Sequence, residues 1–249
     1  MKINLIQPKK PHSFADRFTT LIDEKGSKRF FQPPPGLAFL AGLSPGTEIK
    51  ITDENIEEIN FDEKVDLVGI SLAFTYLAPR GYEIADEFRK RGVKVVIGGI
   101  HATVMPEEAK EHCDSVVIGE AELVWSELLT DFKHKALKNF YKSSGYPDLS
   151  RSPLPRKDLL KLDHYAMDPI QTSRGCPHYC SFCVATRIYG ERYRFKSLQT
   201  VLSEVKASKT KFIDFADDNI AADRRRFKEL LKALIPLNIR WQSDAPVYL

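Results

Sequence analysis

The chain of 249 residues is 43% apolar and 29% charged, with 37 Lys and Arg against 34 Asp and Glu for a formal net charge of +3. That balance is typical of soluble globular proteins and too mild to argue for nucleic acid or an anionic membrane surface as a partner. No apolar run approaches the ~18 residues of a bilayer span, and MKINLIQPKK lacks the apolar stretch of a signal peptide, so a cytoplasmic, reducing compartment is expected.

In chain order, INLIQ (3–7) and EIKIT (48–52) read as strands, and VDLVGISLAF (65–74), VKVVIGG (93–99) and SVVIG (115–119) are near-continuous apolar runs. Such runs suit parallel strands covered on both faces. Pro79 opens a helix with Ile84, Ala85 and Phe88 on one face and Gly92 as its stop. Pro106, with Glu107 and Glu108, starts a second, and residues 120–132 form a third around Leu123, Val124, Leu128 and Phe132. Strands alternating with helices predict a doubly wound, mostly parallel α/β sheet over residues 1–142.

Residues 143–164, SSGYPDLSRSPLPRKDLLKLDH, are rich in Ser, Pro and charge without a sustained apolar period, and read as a linker. Alternation resumes over 165–249. PIQTS (169–173) is a strand, Leu198, Val201, Leu202 and Val205 mark a helix face, and KFIDFA (211–216) is a strand. Phe227, Leu230, Leu231 and Leu234 mark a second helix, stopped by Pro236, and IRWQS (239–243) is a third strand.

Three of the four cysteines fall in TSRGCPHYCSFC (172–183): Cys176, Cys180 and Cys183. In a reducing compartment such clustering points to metal or redox chemistry. Three thiolates are one short of the set that closes a structural zinc site or an ordinary ferredoxin cluster, so one metal position is left open. Gly175 and Pro177 bracket the first cysteine and help the backbone turn tightly. The alternative is a zinc knuckle that borrows His178, whose spacing does not give the usual paired zinc pattern. Cys113, in the other half, reads as a buried apolar residue.

GCPHYCSFC resembles the CxxxCxxC loop of the radical S-adenosylmethionine (SAM) enzymes, including the aromatic residue before the last cysteine. The resemblance implies that Cys176, Cys180 and Cys183 bind a 4Fe–4S cluster whose open iron takes SAM, which is split by one electron to a 5′-deoxyadenosyl radical. It places Phe182 near the adenine. FADDNI (215–220) follows a strand where the family places a polar motif for the SAM amino group, with Asp217 as first choice and Asp218 as second. The alternative is that Asp218 and Asn219 turn the chain and cap the next helix. RYRFKS (192–197) also resembles a family stretch, and its arginines are read as solvated.

PPPGLAFLAGL (33–43), VGIS (68–71), GGIHATVMPEE (98–108) and VIGEAE (117–122), in this order before a cluster loop, resemble the cobalamin-binding domain of one large radical SAM subgroup. On that resemblance the nucleotide tail of cobalamin passes beside Gly98 and Gly99, Ser71 and Thr103 hydrogen-bond to it, and His101 and Glu120 are further contacts. A plain doubly wound domain, with GG ending a strand and PEE starting a helix, is the alternative. QPKKPHSFADRF lacks the DxHxxG motif that supplies a histidine to cobalt, with His12 the one nearby imidazole, and Ala121 replaces the glycine of a GEGE-type turn.

The fold expected is therefore a Rossmann-like cobalamin-binding domain followed by the first βα units of a radical SAM partial barrel of about six such units. The resemblance implies methyl transfer to an unactivated carbon, with ring formation or rearrangement in the same subgroup as the main rival. Methylthiolation of tRNA is disfavoured, because those enzymes carry three cysteines in the first domain and this one has only Cys113. A non-catalytic cobalamin- or metal-binding module is the reading from a different class. The implied partners are a small-molecule or lipid substrate (DDNI and LIPLNIRW resemble members acting on hopanoids) and a reducing donor such as flavodoxin or ferredoxin. A further expectation is that later barrel strands belong to a longer polypeptide or a partner, so that these residues alone bind cofactors poorly and do not turn over.

Overall fold

The computed structural model describes residues 1–11, 20–22 and 28–245. His12 lies outside them. Two compact units divide the chain, Met1–Thr20, Pro34–Pro147 and Pro155–Lys161 forming the first, and Leu21–Pro33, Asp148–Leu154 and Leu162–Leu249 the second.

The first unit is built on β1 (Lys2–Gln7), β2 (Glu48–Asp53), β3 (Leu67–Ser71), β4 (Lys94–Gly98), β5 (Ser115–Ile118) and β6 (Phe140–Lys142). They lie in the order β2-β1-β3-β4-β5-β6, every pairing parallel. This is the doubly wound arrangement expected, and adjacent residues show why. Ile6, Val95, Ile97 and Val116 enter one core with Ile84 and Phe88, while Leu5, Val96 and Val117 enter the other with Trp125 and Leu128. Successive side chains alternate faces, so only a run apolar throughout can fill two cores at once. The helix α1 is Pro35–Gly42, and between β3 and β4 the helix α2 is Ala78–Lys90, with Pro79 in its first turn and Arg89 and Lys90 in its last, where they complement the helix dipole. Gly92, at φ +77°, follows it, as a helix stop requires.

Several boundaries differ from the expectation. The strand over 65–74 is only Leu67–Ser71, because Leu72 leaves the ladder to donate to Gly98 O and accept from His101 N–H. The third helix divides into a 3-10 turn, Ala121–Leu123, and a helix, Trp125–Lys133, with Val124 outside helical geometry between them. β6 and the helix Pro35–Gly42 carry no sequence period long enough to announce them. The stretch 143–164 contributes to both units. Arg156 N–H donates to Ala38 O, and Leu159 and Leu160 pack on the first unit's core.

In the second unit, β7 (Asp168–Ile170) leads to an antiparallel pair, β8 (Ser173–Arg174) with β9 (Arg194–Phe195), and β10 (Phe212–Phe215) and β11 (Arg240–Ser243) follow. The parallel order is β11-β10-β7. Val201 and Val205 of the helix Leu198–Ala207, and Leu230 and Leu234 of the helix Arg224–Leu234, cover this sheet as their spacing predicts. Ser197 and Asp223 cap the two helices through their side-chain oxygens. Among the described residues no helix is long and apolar enough to cross a membrane.

One buried polar contact ties distant parts of the first unit: Trp125 Nε1–H donates to Ser44 Oγ at 2.7 Å. Ser44→Ala strands that indole N–H in the core, at a cost of about 1–3 kcal/mol. Urea denaturation should show the loss, and a variant as stable as the unaltered chain would contradict the assignment.

Candidate functional site: a cysteine loop and a glycine-rich sheet edge

The cysteine loop leaves the C-terminal end of β7, where a parallel sheet presents functional groups. Its root is held by Asp217, 3% exposed. Oδ1 of that carboxylate accepts from Thr172 N–H (2.6 Å) and Ser173 N–H (3.1 Å), and Oδ2 from Thr172 Oγ1 (2.5 Å) and Ser173 Oγ (2.7 Å). Burial pushes the Asp217 carboxyl above the usual carboxylate range, against the pull of those donors. Gly175 follows at φ +89°. A Cβ there would lie 2.6 Å from Arg192 O and 3.0 Å from Gly190 O, so only glycine lets the loop pass.

Beyond it, Cys176 N–H donates to Gly190 O, and Thr186 Oγ1 lies 2.9 Å from His178 O and 3.2 Å from Cys176 O. Cys183 N–H closes a turn on Cys180 O. Cys176 is buried, Cys183 half-buried and Cys180 exposed. Phe182 is 90% exposed and Tyr179 also stands out from the loop. Among the described residues no three Asp, Glu, His or Cys side chains gather into a ready-made cation cage. What the loop offers is a donor set of three soft thiols on one flank of a single strand end, with Cys176 anchored in the interior. That set fits an iron–sulfur centre in kind, since thiolates are its usual ligands. Cys113 is apart from this. It is wholly buried in the first unit, its Sγ lies 3.1 Å from both Ala109 O and Ser115 O so that one S–H is shared between them, and burial pushes its thiol up to about 12.

The two adjacent acids, expected as first and second choice for the SAM amino group, have different surroundings. Asp217, the first choice for a ligand contact, spends both oxygens on the loop root. Asp218 is exposed and accepts from Gly175 N–H at 3.3 Å, beside the first cysteine. The strand ends at Phe215, and a turn in which Asp217 N–H donates to Phe215 O brings the Asp217 side chain inward onto Thr172 and Ser173. Arg194 is likewise buried rather than solvated, donating to Tyr189 O. Sequence reasoning also missed Lys196 and Glu204, paired at 2.7 Å in the interior, and Tyr193, whose hydroxyl donates to Asn219 O.

In the first unit, Ser71 ends β3 and Gly98 ends β4, both half-buried. Gly99, at φ +105°, passes so close to the Leu72–Ala73 peptide that a Cβ would lie 2.7 Å from Leu72 C and O. Thr103 Oγ1 donates to Gly99 O and accepts from Gly119 N–H, tying the ends of β4 and β5. His101 does not offer Nε2 to this edge. The ring is buried with Nε2 2.8 Å from Tyr82 OH, and Tyr82 donates to Glu108. Glu120 is buried as well. The loops after β3, β4 and β5 instead expose Phe74, Val104, Met105 and Leu123, with Phe74 stacked on Tyr76 at 5.3 Å. Glycine clefts and an apolar rim at strand C-termini suit a large cofactor with a polar tail.

Residues 33–129 match the B12 binding domain family. The bacteriochlorophyllide d C-8(2)-methyltransferase of Chlorobaculum tepidum is 34% identical over 232 residues, 85% of this chain and 51% of the relative. The anaerobic magnesium-protoporphyrin IX monomethyl ester cyclase of Rubrivivax gelatinosus is 30% identical over 263 residues, covering 86% and 47%. The fold resembles the radical SAM methyltransferase TsrM of Kitasatospora setae, solved with tryptophan and a SAM analogue, at a TM-score of 0.71 and 20% identity over 95% of this chain and 51% of that one. The chain spans about half the length of the curated relatives it matches.

Asp217 gives the site a test of its own. Asp217→Ala leaves two buried backbone N–H groups without an acceptor, at about 1–3 kcal/mol each, whereas Asp217→Asn keeps Oδ1 and can turn its NH2 to the two hydroxyl oxygens. Chemical denaturation should rank the unaltered chain above Asn and Asn well above Ala. Equal losses would refute the geometry.

Proposed function

The chain belongs to the radical SAM enzymes that carry a cobalamin-binding domain, and from that premise we propose that it forms the cofactor-binding part of a cobalamin-dependent methyltransferase acting on carbon. The observation that carries this is the three-cysteine loop that follows β7, in a chain whose first unit matches a B12 binding domain. In this reading Cys176, Cys180 and Cys183 hold a 4Fe–4S cluster and leave one iron for SAM. When bound, the reduced cluster and SAM supply a 5′-deoxyadenosyl radical, and cobalamin supplies a carrier for the methyl group.

The protein's own part is to hold and shield. Asp218, exposed at the loop, takes the SAM amino group, while Asp217 fixes the strand end from which the loop springs. Phe182, almost fully exposed, is free to cover the adenine. Ser71, Gly98, Gly99 and Thr103 border the cobalamin tail, and buried His101 and Glu120 support that edge from the interior. Substrate contacts and a low-potential donor such as flavodoxin or ferredoxin belong to the same proposal. Ring formation is a second reading, favoured by the cyclase among the relatives. Methyl-labelled SAM separates the two, since only methyl transfer leaves the label in the product.

Anaerobic reconstitution of the full-length protein should give about four irons per polypeptide, and alanine at Cys176, Cys180 or Cys183 should abolish most of that content. Cobalamin should survive desalting and show its visible absorbance, and Gly99→Ala should lose it. One zinc with no iron would overturn the cluster assignment.

A further inference from the structure

We propose that Asn219 is a positioning and tuning residue for the cluster: its side-chain amide N–H, aimed at Cys176 Sγ, raises the potential at which the bound centre accepts an electron. This rests on the reading that the three loop cysteines hold that cluster.

Asn219 Nδ2 lies 3.9 Å from Cys176 Sγ, at the long end of N–H···S contacts. Both residues are buried, Asn219 at 4% and Cys176 at 8% exposure, so water does not compete for the pair. The orientation of the amide is fixed by its other end. Oδ1 accepts from Ala221 N–H at 3.2 Å, which leaves the NH2 facing sulfur. The backbone is fixed too, because Asn219 O accepts from Tyr193 OH at 2.7 Å and Ala222 N–H at 3.3 Å. Tyr193 is itself held, with Ser173 Oγ 2.9 Å from its hydroxyl and Phe195 edge-on at 4.6 Å.

A neutral thiol is a weak acceptor, and a buried amide N–H aimed at one gains little. The same bond to a metal-bound thiolate is charge-assisted and about twice as strong as a neutral one. Among the described residues, neither Cys180 nor Cys183 has a side-chain donor at its sulfur, so the loop receives this bond at one corner only. Hydrogen bonds to cluster sulfurs are among the levers that set reduction potential. A donor offsets negative charge, which increases when the centre is reduced, and so favours reduction.

The test uses the anaerobically reconstituted full-length protein and its variants Asn219→Ala and Asn219→Ser. Serine retains an oxygen for Ala221 N–H in a similar turn but is too short to reach Cys176. Redox titration followed by electron paramagnetic resonance should show the reduced-to-oxidised ratio at a fixed potential falling about three- to tenfold in both variants, about 30–60 mV for a one-electron couple. Iron content should stay at the unaltered level. Potentials equal to that of the unaltered chain overturn the proposal. Loss of iron from both variants with the fold intact also overturns it, by making Asn219 a holder rather than a tuner. An unaltered chain without any iron would defeat the cluster reading first, which keeps the two failures distinct.

Discussion

Parallel pairing is the constraint on which everything else in this chain depends. In each unit every rung of the main sheet runs the same way, so all strand C-termini emerge along one edge and the loops they feed converge there. Parallel strands also need both faces covered, which in the first unit the helices on either side provide. The chemistry-bearing stretches follow from that geometry. Ser71 and Gly98 stand at strand ends in the first unit, and the cysteine loop follows β7 while Asp217–Asn219 follows β10 in the second.

Much of the fold was legible because two-sided burial leaves an unmistakable trace. VVI (95–97) has to be apolar throughout, since Val95 and Ile97 fill one core and Val96 the other. Pro79 and Gly92 punctuate their helix for steric reasons that hold whatever surrounds them. The misses lie where tertiary contacts decide. β6 is three residues long, and three residues carry no period. Residues 155–161 look like a polar linker, yet Leu159 and Leu160 find apolar partners that only the folded chain reveals.

The site was legible to a different degree in each unit. Cysteine spacing is local chemistry, and the loop could be picked out without any knowledge of the fold. Asp217 and Asp218 are identical neighbours in the sequence, and only the folded chain turns the first inward onto Thr172 and Ser173, far away along the chain. His101 is a similar case. Its partner Tyr82 is 19 residues away on α2, and no sequence pattern links the two.

The burial of Cys113 has a practical consequence for anyone handling the protein. A thiol whose proton is held to about 12 has almost no nucleophilic form at neutral pH. Alkylating reagents and mild oxidants should therefore discriminate between it and the loop without any engineering. A count of quickly modified sulfhydryls reports the loop alone, so occupancy of that loop by any guest can be followed as protection from labelling.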